Sequence, residues 1–433
     1  MGDIQKLSAF GLDYIKSKGD VKATLTITES EQHEITIKDG KFTLYRTLFD
    51  EDVSVKVIKD NRQGTGSINK FDEEAIKKAF DEALSTAEAS DADECFDIAP
   101  GLEPEQFKMG VLEPDIDKLI ERTKELSDTI AERFKKIKLM ELYTRYVKGT
   151  TIYANTNGTR DEKEFGYYVV AIDFAGNDGE NTTGLNGSYA VFDNLDKELI
   201  TLGSIEQDLK DSENSLNPIR VSEKFEGDVI FTPACVAELF MFIAGVTVTD
   251  QAIINKTSQW QDKIGQQVAS PLLTISSNLW DKRIVDHEVH TADGFRSKDF
   301  TMIDKGVLKS LATTLYTEKK CGIVHAENTA NALVIEPGDT ALEDMIKSVK
   351  KGLIVNRISC GRPGSNGEIA GLAKSSFYVE DGEVKGAVLE AMVSSNLFDI
   401  FNNVKAVSKE LLCDGSMVVP YLQVSGVTVS GNA

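Results

Sequence analysis

The chain has 433 residues, and its 70 acidic and 48 basic side chains give it a formal net charge of −22. This charge disfavours direct contact with nucleic acid or with an anionic membrane, and no Lys/Arg-rich run compensates for it. Since the longest apolar run, residues 239–246, is far shorter than the roughly 20 residues that span a bilayer, and since the first residues lack the apolar core of a signal peptide, we expect a cytoplasmic protein.

The amino-terminal residues predict a mixture of helix and antiparallel strand. Apolar side chains in residues 3–17 are spaced for one face of a short helix. Three segments between residues 22 and 60 alternate apolar and polar side chains, and Asp39-Gly40 provides a hairpin turn. Asp72 is placed to cap a helix that begins at Glu73. We therefore predict a first α+β subdomain over residues 1–98.

The next segment begins with three of the nine prolines, at residues 99–114, which predict an extended connector. Apolar residues from Ile116 to Ile137 recur at helical spacing and predict a long helix. From Leu139 the apolar period changes to two, which predicts antiparallel strands with turns at Asn157-Gly158 and Asp178-Gly179. These elements form a second predicted subdomain, 115–217, and the region around Pro218 is the best boundary between two halves.

The carboxyl-terminal half, residues 225–433, is predicted to be largely β. A strand over 227–233 leads into an apolar helix over 235–245, and further helices are predicted near 340–352 and 395–410. Most of the remaining residues read as strands separated by glycine turns. Helices and strands do not alternate regularly, so we predict an α+β fold rather than a doubly wound sheet.

The sequence DHEVH at residues 286–290 raises the question of a metal site, because it is one residue short of the zinc-peptidase motif H-E-x-x-H. A helix would bring both histidines to one side, so the backbone conformation decides whether they could bind one ion. The β-branched flanks favour a strand, on which His287 and His290 would point to opposite faces. A local zinc site is therefore disfavoured, although a divergent site that joins either histidine to Cys413 stays open.

The most glycine-rich stretch, residues 361–376, contains Gly361, Gly364, Gly367 and Gly371. It does not match a phosphate-binding P-loop, because two residues separate Gly371 from Lys374. We interpret it as a structural or substrate-facing loop. The five cysteines are scattered without a C-x-x-C pair, which argues against disulfides and a structural zinc site. From the residues alone, no catalytic constellation emerges.

Six segments, taken in their order along the chain, carry a resemblance to a known family. They are residues 55–84, 152–159, 256–275, 303–322, 359–388 and the tail 418–431 around Pro420. Together they resemble the TldD/PmbA family, the so-called modulators of DNA gyrase, and in particular its PmbA (TldE) branch. The resemblance extends over nearly the whole chain and implies a peptidase-like carboxyl-terminal domain.

The family is regarded as a metallopeptidase system of two related subunits, of which the TldD type binds zinc through H-E-x-x-x-H on a helix and a carboxyl-terminal cysteine. The resemblance places this helix window at residues 241–246. Met241 and Val246 stand where histidines would be, Phe242 where the general-base glutamate would be, and Gly245 at a glycine that the motif often carries. Cys413 falls near the ligand cysteine. The resemblance thus implies a vacated metal site.

The resemblance implies a PmbA/TldE-type subunit with no cofactor of its own, whose TldD-type partner holds the zinc. The two chains would enclose a peptide or an unfolded protein, and this chain would form a homodimer when the partner is absent. The alternative hypothesis is a non-enzymatic peptide-binding or scaffold protein that self-associates. In the peptidase hypothesis, the 241–246 helix and the glycine loop face one shared cavity, whereas the scaffold hypothesis does not require this.

Overall fold

The computed structural model describes residues 4–285 and 287–431, which form two sheets with helices packed against them. The fold is α+β, as predicted, since antiparallel neighbours dominate both sheets. No helix within these ranges combines the length and the apolar character needed to cross a bilayer.

The first sheet is built from the amino-terminal half. Its strands are β1 Lys22–Lys38, β2 Lys41–Lys59, β3 Arg62–Ile68, β4 Gln106–Gly110, β5 Ile137–Asn155, β6 Arg160–Gly176 and β7 Asn186–Phe192. They are ordered β3-β2-β1-β5-β6-β4, with β7 also paired to β6. Because β1 pairs with β5, the segments 1–98 and 115–217 contribute strands to the same sheet.

Helices cover two separate regions of this sheet. They are α1 Ile4–Lys16, α2 Glu73–Ala89, α3 Ile116–Arg133 and α4 Ile205–Asn214, with a 3-10 turn at Leu199–Thr201. The helices α1 and α2 bury Leu25 and Ile27 of β1, whereas α3 and α4 bury Ile35 and Ile37 of the same strand. The Asp72 side chain accepts a hydrogen bond from the Ala75 N–H, which confirms the predicted cap.

Two sequence-based boundaries in this half were wrong. The long helix ends at Arg133, and Ile137 already begins β5, because the segment pairs with β6 along its whole length. The proline-rich connector 99–114 contains β4, which runs parallel to β6. In both cases a neighbouring strand supplied hydrogen bonds that the local sequence does not reveal.

The second sheet is built from the carboxyl-terminal half. Its strands are β8 Ile219–Arg220, β9 Lys224–Phe231, β10 Ile275–Ser277, β11 Phe300–Asp304, β12 Val307–Leu308, β13 Leu333–Ile335, β14 Lys351–Val355, β15 Arg357–Ser359, β16 Glu368–Lys374, β17 Phe377–Glu380, β18 Glu383–Leu389, β19 Met392–Asn396, β20 Val404–Cys413 and β21 Val418–Ser430. Its helices are α5 Pro233–Thr247, α6 Asp250–Ile254, α7 Leu315–Cys321, α8 Leu342–Ser348 and α9 Leu397–Asn402. The largest buried cluster surrounds α5 and includes Trp260 and Phe401.

Two predictions in this half need correction. The helix expected over 395–410 stops at Asn402, and the residues after it form β20 against β21. The segment around DHEVH is not a strand: only His290 makes an isolated bridge, to Arg296, and Asp286 lies outside the described residues. Its β-branched side chains Ile284 and Val289 are buried although the segment is not paired as a strand. Burial, and not sheet formation, therefore accounts for the apolar residues at these positions.

Candidate functional site

The helix at the predicted metal-site position, α5, turns one face to the core and the other outward. Pro233 occupies its first turn, where the missing N–H costs nothing, and Phe240 and Ile243 are buried. On the outward face Met241 is 71% exposed, and a Cβ built on Gly245 would meet no atom within 4 Å. The outward face is therefore open and largely apolar.

The side chains at the positions predicted for the metal site do not fit a zinc ion. Phe242 and Val246 are half-buried, and Phe242 packs against the core cluster. Their thioether, phenyl and isopropyl groups lack the imidazole nitrogens and the carboxylate that zinc sites and their general bases use. Within residues 4–285 and 287–431, no group of three or more His, Cys, Asp or Glu side chains is arranged to hold a metal ion.

The two histidines of DHEVH lie in different surroundings. The Nδ1 atom of His287 contacts the Leu279 carbonyl, and its ring stacks on Trp280. The Nε2 atom of His290 lies 2.8 Å from Asp161 Oδ2, and its ring stacks on Tyr153 at a centroid distance of 4.4 Å. Each ring is held by its own neighbours, so the pair does not form a metal site.

Cys413, the third candidate ligand, is an exposed residue at the end of β20, opposite Val418 of β21. Partial burial of its sulfur raises the pKa of the thiol above its ordinary value, which favours the protonated form over the thiolate that binds metals. Among the described residues, Cys413 belongs to no group of three or more His, Cys, Asp or Glu side chains that could hold a metal ion.

The glycine-rich stretch divides into an exposed part in the loop after β15 and a buried part that continues into β16. Gly361 and Gly364 are exposed. A Cβ on Gly367 would lie 2.7 Å from the Phe398 ring, and one on Gly371 would lie 2.5 Å from the Ser359 carbonyl. The last two glycines therefore permit close packing, and only the first two are free to meet a substrate.

A cavity of about 540 Å³ lies between the two halves of the molecule. The amino-terminal half contributes Tyr189, Asp208 and Asp211, whereas the carboxyl-terminal half contributes Glu238 of α5 and Tyr421 of β21. Residues on both sides of the glycine loop also line it, but Met241–Val246 and the four glycines do not. This cavity is therefore not the shared one that the peptidase hypothesis predicts for the 241–246 helix and the four glycines.

Carboxyl groups in the cavity are poorly solvated. Burial raises the pKa of Asp211 to about 6, and it also raises that of Asp208, whose Oδ2 accepts hydrogen bonds from the Ser188 and Ser204 hydroxyls at 2.6 and 2.7 Å. Burial likewise raises the pKa of Glu238, against the nearby positive charge of Arg357. Such groups can exchange protons near neutral pH or accept hydrogen bonds from peptide N–H groups.

The cavity could not be predicted from the sequence. Asp208 and Asp211 belong to α4, whose sequence IEQDLKDSEN is typical of a solvated helix, and α4 was not predicted. Their burial results from contact with residues near 410–421, about half the chain away. Only the apolar pair Ile205 and Leu209, four residues apart, indicates that this segment has a buried face.

A buried ionic cluster joins the two halves beside the candidate histidine. Asp161 of β6, whose side chain is fully buried, accepts hydrogen bonds from Arg296 Nε and Nη2, both at 2.8 Å, and from the Glu105 N–H. His290 bonds the same carboxylate. Burial would raise the pKa of Asp161, but these hydrogen bonds lower it below its ordinary value. His290 thus has a structural partner, and burial lowers the pKa of its ring.

Comparisons with known proteins agree with this architecture. The model of PmbA/TldA metallopeptidase domain 1 matches residues 23–87, and that of the PmbA/TldA metallopeptidase C-terminal domain matches residues 224–431. A metalloprotease of Methanocaldococcus jannaschii is 24% identical over 419 residues, which cover 90% of each chain. The metalloprotease PmbA of Escherichia coli O157:H7 is 21% identical over 448 residues, with 98% of this chain and 96% of the relative covered.

Two solved structures share the fold over their full length. TldE from Thermococcus kodakarensis superposes with a TM-score of 0.82 at 20% identity, covering 99% of this chain and 100% of the other. A candidate modulator of DNA gyrase from Bacteroides thetaiotaomicron gives a TM-score of 0.86 at 20% identity, with 100% of both chains covered. The matched domain models, the relatives and the shared fold lead to one conclusion: this chain belongs to the TldD/PmbA family.

Proposed function

We propose that this chain is a non-catalytic, PmbA/TldE-type subunit of a TldD/TldE-type metallopeptidase system. A homologous TldD-type subunit would hold the zinc, and this chain would help to enclose a peptide or unfolded-protein substrate. One observation supports the proposal: in a chain whose relatives are called metalloproteases, the helix at which the resemblance places the metal-binding motif carries Met241, Phe242 and Val246. These side chains neither bind zinc nor accept a proton.

The proposed role in enclosing substrate is supported by the cavity between the halves. It combines carboxyl groups with the apolar side chains Leu411, Leu412 and Met417. A pocket with such a mixture can bind both peptide N–H groups and apolar side chains. In this proposal the substrate binds in the cavity, and the partner subunit catalyses its hydrolysis.

The first test is elemental analysis of the chain, purified without added zinc and without a metal-affinity tag. We expect close to zero zinc per chain and no cleavage of casein or of an unstructured peptide. About one zinc per chain, together with peptide cleavage that a chelator abolishes in the absence of any partner, would overturn the proposal.

The second test is co-expression with a homologous chain that carries H-E-x-x-x-H. We expect a stable complex that cleaves the unstructured peptide, and the same complex with Glu→Gln in the partner's motif should be inactive. The self-associating scaffold remains the second candidate, because Met241–Val246 and the glycine loop do not line one common cavity. Repeated failure to form the complex would favour the scaffold.

A further inference from the structure

The two halves of the molecule are joined by a buried ionic cluster at one end of β6 and enclose the cavity toward the other end. Asp161, at the beginning of β6, binds Arg296 of the carboxyl-terminal half. The cavity is bordered by β7, whose Tyr189 pairs with Ala171 of β6. Ala171 follows Asp161 by ten residues, so at about 3.3 Å per residue the cavity lies roughly 33 Å along the strand from the ionic cluster.

Beside the cavity, the halves contact each other through uncharged hydrogen bonds. The Val191 N–H of β7 donates to the Asp414 carbonyl at 2.7 Å, and the Ser375 hydroxyl donates to Asn186 Oδ1 at 3.1 Å. Single hydrogen bonds of this kind contribute little net stability, because water replaces them when the surfaces separate. This end of the contact therefore separates at lower cost than the end held by the buried ionic cluster.

Two carboxyl groups of the amino-terminal half line the cavity without a positive partner. Asp208 and Asp211 lie three residues apart in α4, and among the described residues neither forms an ion pair, since Lys210 of the same helix pairs with Glu206 at 2.9 Å. A carboxylate that is buried without a positive partner is costly, and this cost is relieved when water reaches it. Ionisation of these groups therefore favours an open cavity over a closed one.

The groups that face Asp211 from the other half do not offset its charge. Tyr421 of β21 lies close to it, because burial and the nearby carboxyl groups of Asp211, Asp208 and Glu410 raise the pKa of this tyrosine to about 12. The other charged groups in the cavity wall are Glu238, Arg357 and Asp414. Carboxyl groups from both halves thus outnumber the single guanidinium in the cavity.

We infer that protonation of Asp211 controls the cavity between the halves: the neutral acid keeps this end of the molecule closed, and the carboxylate opens it about the ionic cluster at Asp161. This inference describes the regulation of the cavity, and it rests on the proposed function for the assignment of the cavity to a peptide substrate.

The pH range of the opening lies between two pKa values of Asp211. Burial, together with the nearby charge of Asp208, raises the pKa to about 6 in the closed cavity, whereas an open, hydrated cavity returns it to the ordinary value of 3.8. The closed form holds the proton more tightly, so it loses stability as the pH rises from 3.8 to about 6. Opening should therefore be about tenfold more favourable at pH 8 than at pH 5.

Hydrogen–deuterium exchange at the Val191 amide tests the inference, because this N–H donates from one half to the other. We expect its protection, corrected for the intrinsic exchange rate at each pH, to fall about tenfold from pH 5 to pH 8. Ala190 is the internal control. Since the Val191 N–H points away from β6, the N–H of its neighbour points into the sheet toward β6 and should keep its protection.

Two variants of α4 separate the titration of Asp211 from other effects of pH. Asp211→Asn keeps the shape of the side chain but does not titrate, so the protection of Val191 should vary less than about threefold over the same range. Glu206→Gln is the matched control. It neutralises a carboxylate of the same helix that pairs with Lys210 and Arg133, and it should retain the tenfold change.

Three results would overturn the inference. They are a wild-type Val191 protection that does not depend on pH, a tenfold change that Asp211→Asn retains, and an equal loss of protection at Val191 and Ala190, which would mean that β7 unfolds. The measurement uses the full chain without peptide, zinc or partner subunit. Its failure is therefore distinguishable from failure of the proposed function, which the zinc analysis and the co-expression test.

Discussion

At the scale of single residues, two glycines differ in what an added side chain would do: at one it would clash with a neighbouring element, and at the other it would meet open space. A Cβ on Gly66 of β3 would lie 2.3 Å from the Ala79 carbonyl of α2, so strand and helix touch through their backbones. Gly245 of α5 has open space instead, and glycine only weakens the helix there. Gly66 lies in a segment that carries the resemblance, and Gly245 lies in the helix window that the resemblance implies, yet their physical roles differ.

We expect Gly66→Ala to destabilise the protein by about 1–3 kcal/mol, because the added methyl group must push α2 away from the sheet. Gly245→Ala should stabilise it by about 0.5–1 kcal/mol, since alanine restricts the unfolded chain without a clash. Urea unfolding of both variants beside the wild type measures the difference. The same sign for both would contradict these packing assignments.

Residue-scale features were predictable where their cause is local. The Asp72 cap depends on an N–H three residues away, and the Asp39-Gly40 turn depends on two residues with positive φ, of 47° and 72°. The contact of His290 with Asp161 spans 129 residues, so no local pattern indicates it. The sequence analysis therefore named His290 as a candidate, but it could not name its partner Asp161.

At the scale of elements, α5 was predictable as a helix but its orientation was not. Its residues are apolar almost all round, so no polar stripe marks the outward face. The structure shows that Met241 faces outward while the adjacent Phe240, 6% exposed, packs edge-on against Phe401. The strand prediction for the segment around DHEVH was wrong for a related reason. Buried β-branched residues also occur in a loop when no neighbouring strand is available for pairing.

The orientation of α5 predicts different costs for two neighbouring truncations. Phe240→Ala should destabilise the protein by about 3–5 kcal/mol, because it leaves a cavity in the core. Met241→Ala should change stability by less than about 0.5 kcal/mol, as expected for an exposed side chain. Thermal and urea unfolding check the pair. A large loss for Met241→Ala would mean that the outward face of α5 is covered in solution, for instance by a partner chain.

At the scale of the whole molecule, the features that could not be predicted are those that depend on strand pairing and contacts between residues far apart in the sequence. The α+β class followed from the mixture of periodicities, but the joining of β1 to β5 brings together segments more than one hundred residues apart. Contacts between the two halves are likewise long-range. Besides the Asp161 cluster, Lys56 lies 3.3 Å from Asp293, and the Tyr316 hydroxyl donates to Asp93 at 2.7 Å. The halves are thus joined by charged and polar groups.

The cluster at Asp161 predicts how these halves respond to mutation and pH. Asp161→Asn should destabilise the protein by about 3–5 kcal/mol at pH 7, because it leaves Arg296 without its buried counter-charge. Glu105→Gln is the matched control: Glu105 pairs with Arg296 at 2.8 Å but is half exposed, so its loss should cost less than about 1 kcal/mol.

The pH dependence follows from the lowered pKa of Asp161. A lowered pKa in the folded state stabilises the protein above the unfolded value of 3.8, and this contribution is lost as the pH falls through the folded pKa. Because the Asp161 carboxylate also raises the pKa of the His290 ring, both chains should carry His290→Gln, so that this imidazole does not titrate. In that background, urea unfolding at several pH values should show a constant gap with and without Asp161→Asn from pH 7 to about pH 5. The gap should narrow in more acidic solution, since the wild-type carboxylate is then protonated too. A gap that widens on acidification would show that the Asp161 carboxylate is not what joins the halves.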